Sequence, residues 1–271
     1  MRVLESGFLK LSFCLVVTCL ACVLTSCKSH PAEERNEAAD KQSAANLIAQ
    51  ADQLYAQREN LTHMREAVVQ ARQAHILDLS NYDAAWRLAK FDYYLATHTT
   101  NNEERDKAFR EGIDAGKAAV KLQDGRPEGH FWLGANYGGS AETVAGLATV
   151  NDIRNEMETV IRLDEGYQNG SAYMVLGLVD LKAPKLLGGD PQKAVNEMEK
   201  GLRFGETNAF LRLHLAEAYM AVKRNDDARK QLDAIINMTP DPNYLPEYKE
   251  AVTEAHKLLD QGLSAATPEN K

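Results

Sequence analysis

The chain has 271 residues, with 31 basic side chains against 39 acidic ones and a net charge of −8. No basic stripe interrupts that acidity, which argues against nucleic acid and anionic lipid surfaces as partners. All four cysteines, Cys14, Cys19, Cys22 and Cys27, lie near the N-terminus, so the remainder must be held by packing without disulfides.

Residues 1–26 begin with Arg2 and Lys10 and run into LSFCLVVTCLACVL. This apolar stretch of 14 residues is too short to span a bilayer and has the length of a signal-peptide core. It ends in Leu24-Thr25-Ser26-Cys27, which resembles the lipobox of bacterial lipoproteins. That resemblance implies cleavage before Cys27 and lipid attachment to its sulfur; the alternative is an ordinary secretory signal. Residues 1–26 carry Arg2, Lys10 and Glu5, so the mature part would be one charge more acidic, at −9. Lys28, not Asp, follows Cys27, which in a double-membraned bacterium implies a periplasmic domain anchored to the outer membrane.

Residues 27–44 are polar and charged and read as a tether, or as an extension of the first helix. A flexible coil of that length reaches about 20 Å. Residues 45–262 read as one all-α domain with almost no strand-like alternation, and residues 263–271 as a disordered tail. Five helical hairpins are expected near 46–79, 82–126, 127–169, 170–208 and 209–242, followed by a capping helix in PEYKEAVTEAHKLLDQ.

The repeat is clearest over residues 209–242. Leu215, Ala216 and Tyr219 share a face of one helix, Ala228, Leu232 and Ile235 share a face of the next, and Pro240 closes the unit. This spacing resembles the tetratricopeptide repeat, in which small residues let paired helices approach and larger ones fill the gaps. Asn225 is expected to cap the second helix. Leu133, Gly134 and Tyr137 repeat the first-helix pattern upstream, as do Leu176 and Gly177, with Ala194 and Met198 on the following helix. Trp86, Ala89 and Tyr93 mark an earlier first helix, and Ala67, Ala71, Ala74 and Leu79 a second helix before it. The expected product is a tetratricopeptide-like solenoid, elongated, with a concave face.

Residues 183–194, APKLLGGDPQKA, interrupt the helical series. Gly188 and Gly189 could cradle a phosphate or turn the chain. A phosphate loop needs a following Lys-Ser/Thr, and a dinucleotide fingerprint needs a preceding strand; neither is present. Asp190 and Pro191 instead suit an N-cap and first helical position, so a positive-φ turn is expected at the two glycines. Over residues 169–202, Gly170, Gly177, Pro184, Leu187, Gly188, Gly189, Asp190 and Ala194 resemble the signature of the T-component family of tripartite ATP-independent periplasmic (TRAP) transporters. GHFWLGANYG resembles that family's aromatic-rich helix. The resemblance implies a lipid-anchored periplasmic helical-repeat protein working beside a TRAP substrate-binding protein.

Chemistry-bearing motifs are sparse. The seven histidines form no HExxH-type pair; His214 and Glu217 could share a helix face, more often a solvated contact than half a metal site. Ser140 and Ser171 lack a G-x-S-x-G setting, and Glu103–Glu104 and Asp226–Asp227 fit helix starts. No cofactor, metal or catalytic residue is expected, and the protein reads as a non-enzyme. Phe131, Trp132, Tyr137, Tyr167 and Tyr173 form an aromatic cluster that is either core or ligand wall. Trp132, off the repeat's core positions, is the foremost groove candidate, followed by Tyr137 and Tyr173. A small organic ligand and self-association are open. Rival readings are a scaffold for outer-membrane or envelope assembly and an envelope hydrolase with an unrecognised site.

Overall fold

A computed structural model describes residues 31–141 and 147–262. Eleven α-helices run through them: α1 (Pro31–Tyr55), α2 (Leu61–Leu77), α3 (Tyr82–His98), α4 (Asn102–Leu122), α5 (Pro127–Ala141), α6 (Leu147–Leu163), α7 (Ser171–Lys182), α8 (Pro191–Leu202), α9 (Ala209–Ala221), α10 (Asn225–Asn237) and α11 (Leu245–Gly262). No strand occurs among the described residues. The anticipated signal segment, Cys27 and the tail 263–271 lie outside them. α1 begins at Pro31, so most of the polar stretch ahead of residue 45 is helical; its alanines and glutamates are strong helix formers.

Short polar residues set the helix starts. Asn60, Asn81, Asn101 and Asn208 each accept a bond from a backbone N–H in the first turn of α2, α3, α4 and α9. Asp190 does the same for α8 through Gln192 and Lys193, with Pro191 at the first helical position. Two local expectations are corrected. Asn225 is the first residue of α10 rather than its cap, a position taken by Arg224 without a side-chain bond; positive φ at Lys223 already turns the chain there. Leu79 lies in the turn beyond α2 and is exposed, because Asn81 starts the next helix too soon for α2 to extend.

The helices pair as hairpins α1/α2, α3/α4, α5/α6, α7/α8 and α9/α10, with α11 against α9 and α10. Small residues sit where hairpin axes come closest. A Cβ on Gly134 would lie 2.3 Å from Met157 Cε, and one on Gly177 2.6 Å from Met198 Cγ. The core falls into two large clusters. One runs through α1–α7 and includes Phe91, Phe109 and Met157; the other is carried by α8–α11 and includes Leu211, Leu215, Leu232 and Ile235. α7 serves both, with Ala172 and Leu176 on the first and Met174 and Leu178 against the second.

The solenoid is not an open, elongated arc. Its curvature brings the α1–α2 turn against α11, so that the ends of the repeat array meet. Arg58 donates from Nε and Nη2 to Glu247 at 2.9 and 2.6 Å, and from Nη2 to the Asn243 carbonyl at 2.7 Å. Lys249–Glu59 at 2.8 Å and His98–Glu250 at 3.0 Å complete the seam. The sequence expectation failed here because pairs about 190 residues apart leave no local pattern.

Candidate functional site

Closure shapes a partly open chamber of about 710 Å³, within the range of sites that take small organic molecules. Its helical walls come from α1, α3, α5, α7, α9 and α11; the even-numbered helices supply none of the lining and form the outer layer. The inner helices carry Phe131, Trp132, Tyr137 and Tyr173 of the expected aromatic cluster, with Tyr167 in the turn before α7, but only some of these reach the chamber.

Trp132 on α5 lines it while being only 8% exposed. It is therefore both wall and core: its ring lies edge-on to Phe131 at 5.0 Å and tilted against Tyr93 at 5.8 Å. Tyr137 and Tyr173 are elsewhere. Tyr137 lies a turn and a half further along α5, half-buried with Lys117 Nζ 5.9 Å from its ring. Tyr173 stacks on Phe204 and donates to Glu165 at 2.8 Å. Helical rotation explains both: residues 131, 132 and 135 share one face of α5, whereas 137 turns away.

Residues without a sequence motif dominate the other wall. Tyr55 stacks on Phe91 at 4.8 Å, with Tyr94 edge-on at 5.9 Å. The Arg58 guanidinium sits 4.8 Å above the Tyr55 ring. Burial pushes the Tyr55 and Tyr94 phenols well above their ordinary range, so both remain neutral donors. His98 stacks on Tyr94; burial works against its charged form, but Glu250 and the Tyr94 carbonyl overcome this and raise its pKa. Lys90 projects among these rings, its Nζ 4.1 Å from the Tyr55 centroid and 5.8 Å from that of Trp132. The available signal for it was a lysine at 90 sharing a helix face with Trp86 and Tyr93.

The remaining rim is conformationally tense. Gln168, Asn169 and Gly170 all have positive φ, and the first two line the chamber. Gln168 accepts from Tyr244 Oη at 2.8 Å, and Asn208 donates to Asn169 O and Ser171 Oγ, each at 3.0 Å. Those bonds hold a backbone segment that two non-glycine residues resist adopting.

The Gly-Gly element lies apart from the chamber. Gly188 has φ +85, whereas Gly189 is not in the left-handed region. Its need for glycine is steric: a Cβ there would stand 1.8 Å from the Ala183 carbonyl oxygen. Asp190 N–H donates to Asp180 O at 2.7 Å, and the buried Asp180 carboxylate accepts from Arg154 of α6 at 2.6 Å. Asp180 of α7 thus holds the turn through its carbonyl and ties the third hairpin to the fourth through its carboxylate. His214 and Glu217 bond at 2.8 Å. Among the described residues no group of three or more His, Cys, Asp or Glu side chains could hold a metal, and no helix is long and apolar enough to cross a membrane.

Among solved structures, a thermophilic tetratricopeptide-repeat protein of Thermus thermophilus is similar at 20% identity and TM-score 0.57, covering 78% of this chain and 99% of that one. PilF of Pseudomonas aeruginosa is similar at 18% identity and TM-score 0.49, with 84% and 92% covered. At such identity the first likeness speaks to the fold alone. No curated protein sequence matches. The profile of the TRAP transporter T-component family matches residues 42–261, which takes in every chamber-lining residue. With the profile spanning nearly all of a tetratricopeptide-like solenoid, the chain belongs to the TRAP transporter T-component family.

Proposed function

We propose that this protein is a lipid-anchored periplasmic accessory of a TRAP uptake system, docking the system's substrate-binding protein and holding a small organic ligand in its chamber. The partly open, aromatic-walled chamber in a member of a transporter-component family carries this reading. The lipobox-like Leu24–Cys27 supports anchoring through Cys27, and Lys28 supports the outer membrane. Replacing Cys27 with alanine should abolish incorporation of a fatty-acid analogue into the protein.

The array closes without a catalytic motif, which fits a scaffold or carrier rather than an enzyme. Docking should rest on local shape, because a mature charge of −9 repels an acidic partner unless the contact patch is neutral or basic. The deciding experiment titrates the purified mature protein with the TRAP substrate-binding protein of the same genome, with and without its substrate. A complex at about micromolar concentrations is expected. Its absence under both conditions removes the transporter-docking role and leaves the envelope-assembly scaffold.

A further inference from the structure

We propose that Lys90 is the head-group site of the chamber, selecting a monocarboxylate with an apolar body. This rests on the chamber being a ligand site, and it names the class of ligand. The chamber's other basic side chains are engaged: Arg58 with Glu247, His98 with Glu250, and His214 with Glu217. Asp52, the nearest acid to consider, is held by Arg87 at 3.0 Å. Lys90 makes no ion pair and no hydrogen bond among the described residues. Its contacts are the faces of Tyr55 and Trp132, which stabilise an ammonium but offer it no counter-charge.

Lys90 is half-buried, and a partly desolvated cation without an ion-pair partner costs free energy that an incoming anion recovers. The chamber supplies one such charge, and the acids Asp52, Asp241, Glu247 and Glu250 line the same chamber. A single negative charge is therefore accommodated, and a second would meet repulsion. Beyond the ammonium, the wall is apolar through Phe131, Met174, Val175, Leu178 and Phe210, which suits a hydrocarbon or aromatic body.

Charged and titratable groups around Lys90 come from several elements. Asp52 and Tyr55 stand on α1, Arg58 on the α1–α2 turn, Arg87, Tyr93 and Tyr94 on its own helix, and Glu247 on α11. Burial lowers the Lys90 pKa to about 8; Asp52 and Glu247 oppose the shift, and Arg58 and Arg87 add to it. The ammonium that attracts a carboxylate is accordingly present at neutral pH and lost as pH rises through about 8.

Calorimetric titration with octanoate, octanol and octanedioate separates the possibilities. At about pH 6.5 octanoate should bind at least roughly tenfold tighter than octanol, and octanedioate more weakly than octanoate. Between about pH 6.5 and 9.5 the octanoate affinity should fall roughly tenfold while that of octanol holds, since octanoate stays ionised throughout. Lys90→Met should bind both eight-carbon probes within about twofold of each other, and Lys90→Arg should restore the preference for octanoate. Should Lys90→Met fail to fold, Lys90→Arg and the wild-type pH profile decide. Octanol and octanoate binding equally in the wild type overturns the Lys90 assignment and leaves the chamber as a ligand site. Binding of none of the probes overturns both.

Discussion

The two halves of the solenoid are built differently. From α8 to α11 the repeat is close to its ideal, and Ala194, Met198, Leu215, Ala216, Ala228, Leu232 and Ile235 are all 0% exposed. The α1–α7 half buries polar groups as well: Asp92 and Asn136 are fully enclosed, Arg58 is nearly so, and Lys90 stands in the chamber wall. Both carboxylate oxygens of Asp92 lack a hydrogen-bond partner, as does Asn136 Oδ1. Regular packing accounts for one half. The other departs from it both in the chamber wall, at Arg58 and Lys90, and behind it, at Asp92 and Asn136.

Truncating the regular half should have the largest effect. Leu215→Ala removes a fully buried side chain between close-packed helices and should destabilise by about 2–5 kcal/mol in chemical denaturation. A loss under about 1 kcal/mol would mean that this core is less tightly packed than its burial implies.

The seam between the halves comes next. Arg58→Met leaves Glu247 without its bidentate partner, and a cost of about 2–3 kcal/mol is expected. Lys249→Ala, which breaks an exposed pair of the same seam, should cost under about 0.5 kcal/mol. Equal effects of the two would show that the ends are held by something other than the Arg58 contact.

Asp92 should act in the opposite direction. Burial, with Glu111 nearby, raises its pKa well above the usual carboxylate range. A raised native pKa means that the folded state holds the proton where the unfolded state has released it. The contribution is therefore complete below about pH 4 and falls as pH rises towards the native pKa, by about 1.4 kcal/mol per pH unit. Asp92→Asn abolishes that slope, so its advantage over wild type should widen from pH 4 to pH 7 by more than about 1 kcal/mol. Parallel pH–stability curves would show that Asp92 ionises freely in the fold.

The junction of the halves comes last. Gly188→Ala places a side chain at φ +85 with only Arg154 Nη2 nearby, at an ordinary contact distance of 3.9 Å, so backbone strain alone should cost about 1 kcal/mol. Gly189→Ala should cost more, because its Cβ meets the Ala183 carbonyl.

What could be read from the sequence follows from how local each feature is. The hairpins, the Asp190 cap and the small residues at 134, 177, 194, 216 and 228 were legible because repeat spacing and capping chemistry are short-range. Trp132 could be singled out since it breaks the repeat's own pattern. Tyr137 and Tyr173 could not be separated from it, because spacing gives proximity along the chain and not the direction of a ring. Arg58, His98 and Glu247 become site residues only through closure. The Arg58–Glu247 contact joins positions about 190 residues apart, and no shorter segment contains that information.

Closure also changes how the molecule must assemble and come apart. An open array of repeats behaves as a one-dimensional chain, in which terminal units fray first and folding can start anywhere. Fastening the α1–α2 turn to α11 turns the chain into a loop without free ends. Contacts of very high sequence separation form last and slow the final step of folding. Once made, they oblige the first and last hairpins to open together, so backbone amides of α2 and α11 should exchange with solvent as one cooperative unit.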